Sequence, residues 1–184
     1  MWDSRRSHQG GAAAALARAY GVPAAAVARG LETFQAAGHR IATVADHDGV
    51  RWVDDSKATN CHAAQTSLLA YDSVIWIAGG MAKGQEFDEL VELTASHMKA
   101  VILLGVDRDK IRSALMRHAP NVPIVEVTRT DTGAMDDVVR AAADLADAGD
   151  TVLLAPGCAS WDMYRDYAQR GDSFADAITR LVLS

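Results

Sequence analysis

A chain of 184 residues suits one domain, or one domain with a fragment of another, and is long enough to bury a proper core. Its formal charge of −6 and scattered Lys and Arg argue against a nucleic-acid surface, and no apolar run nears the roughly 18 residues of a membrane span. Two cysteines, Cys61 and Cys158, stand outside any CxxC pair and are too few for a disulfide framework, so a cytoplasmic setting is expected.

Met1 to Ser7 is charged without the apolar core of a secretory signal and reads as a ragged beginning, as at the edge of a truncation. An alanine-rich helix is expected over Gly10 to Tyr20, ended by Gly21-Val22-Pro23, whose glycine suits a C-cap and whose proline opens the next helix. That second helix runs from Pro23 to about Gln35, with Val27, Leu31 and Phe34 at helical spacing. Two such helices cannot bury a core of their own. Ala36-Ala37-Gly38 reads as a hinge. Ile41 to Val44 and Val50 to Val53 then flank an Asp-Gly turn at Asp46-His47-Asp48-Gly49, the signal of a β-hairpin.

A helix is expected from Cys61 to Tyr71, and from there short apolar runs alternate with amphipathic helices. Strands are expected at Ser73 to Ala78, Ala100 to Leu104, Pro123 to Val127 and Thr151 to Ala155. Between them lie helices carrying Phe87, Leu90, Val91 and Met98, then Ile111 and Leu115, then Met135, Val138, Val139, Ala142 and Leu145. A last helical stretch spans Ser160 to Leu183, interrupted near Gly171. Strands apolar throughout and separated by helices imply a mostly parallel α/β sheet covered on both faces.

In such a sheet the loops at the strand carboxyl ends form the functional rim, and three of them carry unusual residues. Asp54-Asp55-Ser56-Lys57-Ala58-Thr59-Asn60 packs carboxylates, hydroxyls, an ammonium and an amide between strand and helix. Asp55 or Ser56 could simply cap that helix, but Lys57 is disfavoured at a helix amino end unless an anion binds there too. Gly79-Gly80-Met81-Ala82-Lys83-Gly84 offers close backbone approach and a point cation, or is a plain turn; GxxxxGK[ST] occurs nowhere. Pro156 to Asp162 places Ser160 at a helix start, either as a carboxylate seat or as an N-cap. Tyr167, seven residues on, would wall the same pocket or belong to the core. Cys158 lacks a basic neighbour and reads as a small buried hydrophobe. The six histidines show no HxH or HxxxH spacing, so no zinc site is expected. Together these loops describe a pocket for a small anion without naming it.

Three motifs carry a resemblance: Asp54 to Asn60, Gly79-Gly80 with Lys83-Gly84, and Leu153 to Pro156 continuing through Ala159-Ser160-Trp161-Asp162 to Arg170-Gly171-Asp172-Ser173-Phe174. In this order they resemble the Mur ligases of peptidoglycan synthesis, in particular the D-glutamate-adding branch, in an actinobacterial-like form. The resemblance implies that residues 1–37 correspond to the helical end of the central ATPase domain. Residues 38–184 correspond to the Rossmann-like C-terminal domain. It implies D-glutamate, ATP and UDP-N-acetylmuramoyl-L-alanine as partners, Mg2+ as a cofactor with ATP, and neither nucleic acid nor membrane. In the family an acyl phosphate forms on the acceptor carboxylate and the amine of D-glutamate attacks it.

On matching positions Arg40, Asp55 and Lys57 would hold nucleotide, Asp55 through ribose hydroxyls. Lys57 and Thr59 would lie at the phosphate and amino-acid junction as the catalytic pair. Thr59, Lys83, Ser160, Trp161 and Tyr167 would surround D-glutamate. The departures are instructive. The family's phosphate loop, magnesium ligands, modified lysine and UDP-sugar domain have no counterpart here. Gln9 and Ala12 replace asparagines that contact adenine, and Met81 stands where many members have Asp. The isolated chain is therefore expected to be inactive unless the missing domains come as a separate chain. The other readings are a non-catalytic nucleotide and amino-acid binding module derived from a Mur ligase, and a relative using another dianionic amino acid, as folylpolyglutamate synthases do.

Overall fold

The computed structural model describes residues 4–33 and 38–184. The first residues, Phe34, Gln35 and the Ala36-Ala37 hinge lie outside the described residues, as do the side chains of 4–10 and 33, Gln9 among them. The Cα trace divides into two compact units, Met1–Ala37 and Gly38–Ser184.

In the first unit α1 spans Ser4–Ala19 and α2 spans Ala24–Thr33. Gly21, at a φ of 92°, ends α1 in the left-handed conformation while Val22 N–H donates back to the Ala17 carbonyl (3.0 Å). No residue from 11 to 32 is buried.

The second unit is a six-stranded mixed α/β sheet in the order β1-β2-β6-β3-β4-β5. The strands are β1 (Ala42–His47), β2 (Val50–Asp54), β3 (Val74–Gly79), β4 (Met98–Leu104), β5 (Ile124–Glu126) and β6 (Thr151–Leu154). β1 and β2 form the antiparallel hairpin and every other pairing is parallel. Asp48 and Gly49 have φ of 50° and 78°, the left-handed pair of a two-residue hairpin turn, so β1 runs on to His47, further than its apolar residues suggest.

Side chains alternate across the sheet. Val53, Trp76, Val101, Leu103 and Leu153 face α3 (Cys61–Leu68), α4 (Asp88–Thr94) and α5 (Arg108–His118). Trp52, Ile75, Ile77, Ile102 and Leu154 face α6 (Ala134–Leu145) and α7 (Tyr167–Leu181). β3 and β6 are buried along their whole length, which is why they read as uninterrupted apolar runs.

Two expectations about helices need correction. Met98 opens β4 rather than closing a helix, because a single 3-10 turn at Ala95–His97 ends α4 first. The last helix starts at Tyr167 rather than Ser160 and is continuous through Gly171. Asp166 caps it, with its side chain accepting from the Gln169 N–H (2.8 Å), and residues 160–166 fold as turns instead. Among the described residues no helix is long and apolar enough to cross a membrane.

Candidate functional site

The carboxyl ends of β2, β3 and β6 are neighbours in the sheet, so the loops that follow them meet on one rim. Backbone pairing ties these loops together. Asp55 N–H donates to the Leu154 carbonyl (2.8 Å) and Gly157 N–H to that of Ala58 (2.9 Å). Met81 and Ala159 exchange two hydrogen bonds (2.8 and 3.0 Å). That exchange requires glycine beforehand: at Gly79 and Gly80, with φ of 124° and 128°, a Cβ would stand 1.9 Å from the Leu104 carbonyl oxygen and 2.3 Å from that of Ala159. Gln85 joins all three loops, accepting from Cys61 N–H (2.9 Å) and donating to the carbonyls of Ala82 (3.0 Å) and Gly157 (3.2 Å).

Arg170, 1% exposed, is the central brace. Its guanidinium donates to Ser56 Oγ (2.9 Å), the Ser56 carbonyl (2.7 Å) and the Cys158 carbonyl (3.1 Å). Burial pulls its pKa down to about 10, so it stays cationic at neutral pH. Ser56 Oγ in turn donates to the Tyr167 carbonyl (2.7 Å), fixing the start of α7 against the β2 loop. Behind it, Asp54 accepts from Ser56 N–H (2.8 Å) and pairs with His39 Nδ1 (2.6 Å). The His39 ring meets Tyr167 edge to face with centroids 6.2 Å apart.

A cavity of about 150 Å3 opens between these loops, lined by Thr59, Lys83, Ala159, Ser160, Trp161, Asp166 and Tyr167. Lys57 stands behind one wall rather than in the lining: its Nζ donates to the Tyr167 hydroxyl (2.7 Å) and lies 4.2 Å from the ring centroid. Lys83 Nζ stands 3.5 Å from the Trp161 ring centroid. Ser160 is 3% exposed, and its hydroxyl has no protein partner among the described residues. The one carboxylate in the lining, Asp166, is occupied in capping α7, and the Gln169 backbone N–H holds its pKa below the ordinary carboxylate value. The Lys83 ammonium and the Ser160 hydroxyl thus face a space of amino-acid size, with the Lys57 ammonium held beside it on Tyr167.

The structure brings Lys57, Thr59, Lys83, Ser160, Trp161 and Tyr167 together and places the other two candidates differently. Arg40 is exposed. Asp55 is 7% exposed and already accepts hydrogen bonds from the Ser67 hydroxyl and the Ile41 N–H, so little of its carboxylate can meet a nucleotide. Burial raises its pKa. Cys158 is fully buried, and burial pushes its thiol up to about 12, as suits a core residue. Among the described residues no group of three His, Cys, Asp or Glu could hold a metal.

Three sequence arguments change. Asn60, not Asp55 or Ser56, caps α3, its side chain accepting from Ala63 N–H (2.9 Å). Lys57 therefore precedes the helix, and the dipole argument for an anion beside it lapses. Ser160 has no helix amino end at its side, because α7 begins at Tyr167. Sequence reasoning missed His39, Gln85 and Arg170 as braces. Only the Arg170-Gly171 pair left a signal: a Cβ at Gly171 would lie 2.1 Å from His39 Nδ1, so the glycine marks a close approach.

A family model described as "Mur ligase, glutamate ligase domain" matches residues 39–158, well over half of the chain. The chain belongs to the Mur ligase family. The UDP-N-acetylmuramoylalanine--D-glutamate ligase of Streptomyces avermitilis is 62% identical over 170 residues, 92% of this chain and 36% of that protein. The enzyme of the same name from Thermobifida fusca is 58% identical over 92% of this chain and 37% of its own length. This chain thus spans about a third of the length of the Mur ligases it matches, and corresponds to their C-terminal part. Among solved structures, the MurC of Thermotoga maritima superposes with a TM-score of 0.62 at 14% identity, over 98% of this chain and 39% of that one. MurF of Acinetobacter baumannii gives 0.60 at 15%, over 93% and 37%. These two likenesses establish the fold alone.

Proposed function

We propose that this chain is the amino-acid-presenting part of the acid–amino-acid ligase that joins D-glutamate to UDP-N-acetylmuramoyl-L-alanine in cytoplasmic peptidoglycan synthesis. The observation that carries this reading is the gathering of Thr59, Lys83, Ser160, Trp161 and Tyr167 around one small cavity, with Lys57 bonded to the Tyr167 hydroxyl in its wall. A dicarboxylic amino acid matches it: Lys83 would face the side-chain carboxylate, while the Ser160 and Thr59 hydroxyls would take the α-carboxylate. Lys57, held by the Tyr167 hydroxyl, would stand where the attacked carbonyl and departing phosphate meet, neutralising charge as it develops.

ATP and Mg2+ would enter with the acceptor through the parts of the relatives that lie outside this alignment. Arg40, exposed at the start of the domain, would approach nucleotide; Asp55 could contribute only the part of its carboxylate left open by Ser67. Among the described residues no group of three His, Cys, Asp or Glu would hold the metal, so its ligands would have to come from outside them.

Positioning both reactants supplies most of the rate in such a reaction, so half a site should bind without turning over. The purified 184-residue chain is expected to bind D-glutamate weakly and to form no UDP-linked dipeptide. Calorimetric or NMR titration with D-glutamate, on wild type and Lys83→Ala, tests the pocket. Absence of binding, or equal affinity in the variant, refutes it; dipeptide formed by the isolated chain refutes its inactivity.

A further inference from the structure

Trp161 is the exposed tryptophan of the domain, at 63%, against 2% for Trp52 and none for Trp76. A large apolar ring left in solvent contributes little to folding, yet the Lys83 ammonium lies over its face at 3.5 Å. The two residues come from different loops, and hydrogen bonds tie each loop down beside them. Lys83 sits in the left-handed conformation, at a φ of 53°, next to Ala82, whose N–H donates to Asp107 Oδ2 (2.7 Å). Trp161 follows the Met81–Ala159 pairing that joins the two loops. Lysine otherwise keeps a long, mobile stem with high rotamer entropy, which a ligand would have to order on binding.

We propose that Trp161 is a positioning residue for Lys83. Its indole face pins the ammonium at the cavity wall before any ligand arrives, so that the ligand's second carboxylate meets a cation already in place. One face of the ammonium lies on the ring and the other stays open to the cavity that both residues line. Tyr167 does the same for Lys57 through its hydroxyl and ring, so the spacing of the two cations is preset by two aromatic side chains. This selects a ligand with two acid groups over one with a single acid group of equal size. The inference rests on the D-glutamate reading above.

The test uses the 184-residue chain and the indole N–H resonance of Trp161. Without ligand, Lys83→Met is expected to shift that resonance and leave those of Trp52 and Trp76 in place; an unmoved Trp161 signal overturns the contact. With ligand, Trp161→Leu is expected to weaken D-glutamate binding about 2- to 5-fold, the equivalent of about 0.5–1 kcal/mol for an exposed cation–π contact. Trp161→Phe, which keeps a ring face, should restore most of the affinity, and the loss should be confined to D-glutamate and absent for D-glutamine. Trp161→Leu binding D-glutamate as tightly as wild type, or an equal loss for both ligands, overturns the positioning role. Failure of D-glutamate to bind wild type overturns the underlying reading and this use of the contact, while the ligand-free Lys83→Met spectrum still decides whether the contact exists.

Discussion

Replacing Arg170 by Met tests whether the rim is held by one buried guanidinium. Methionine has similar length and fills the space, so the change isolates the three hydrogen bonds to Ser56 Oγ, the Ser56 carbonyl and the Cys158 carbonyl. Two buried carbonyls then lose their donor at about 1–3 kcal/mol each, a gross loss of about 2–6 kcal/mol. Against this, the variant no longer buries a cation, and the depression of the Arg170 pKa to about 10 records that burial cost. A net loss of about 2–3 kcal/mol is expected, read as a lower urea midpoint with unchanged slope. Arg170→Lys should lose nearly as much, because a single ammonium cannot span both carbonyls. Either variant within about 0.5 kcal/mol of wild type, the spread of neutral surface changes, would refute the bracing argument.

Gly171→Ala should gain about 1 kcal/mol of helix propensity but place a Cβ 2.1 Å from His39 Nδ1 and 2.6 Å from Asp54 Oδ2. We expect a net loss of about 1–3 kcal/mol, much reduced in a His39→Ala background; additive losses in that double-mutant cycle would refute the steric cause. Burial raises the Asp55 pKa above 3.8, so the folded state binds that proton more tightly than the unfolded state. The cost is absent where both states are protonated and accumulates as pH rises from 3.8 through the raised value, so Asp55→Asn should gain on wild type across that window in urea midpoints. A gain that does not change with pH would count against burial as the cause. Cys158, with its thiol pushed up to about 12, should resist thiol reagents at mildly alkaline pH until denaturant opens the core, whereas half-buried Cys61 reacts earlier. Native-state labelling of Cys158 at the rate of a free thiol would contradict its burial.

The parallel sheet was legible because β3, β4 and β6 are apolar on both faces, a pattern few other architectures produce. The hairpin was legible from Asp48-Gly49. Strand order was not: nothing local to residues 151–154 says that they pair with both β2 and β3. The start of α7 was hidden for a different reason. Residues 160–166 have helical spacing, yet Asp162 turns its carboxylate to the Val106 N–H (3.0 Å) and Asp166 caps the true helix. Long-range acceptors of this kind leave no periodic trace. Arg170 was opaque for the opposite reason, since a lone arginine within a helix ordinarily points to water and only tertiary packing makes it a brace.

β6 is the last strand in the chain and lies between β2 and β3, each of which pairs with it and not with the other. During synthesis the hairpin and the β3–β5 layer can form separately, but they have no common hydrogen-bonded neighbour until residue 154 has left the ribosome. The cavity walls come from both sides of that seam, so they assemble only with the final closure. Folding should accordingly be slow for this chain length, with high contact order, and a nascent chain halted before β6 would expose two unpaired inner edges to chaperones or to aggregation.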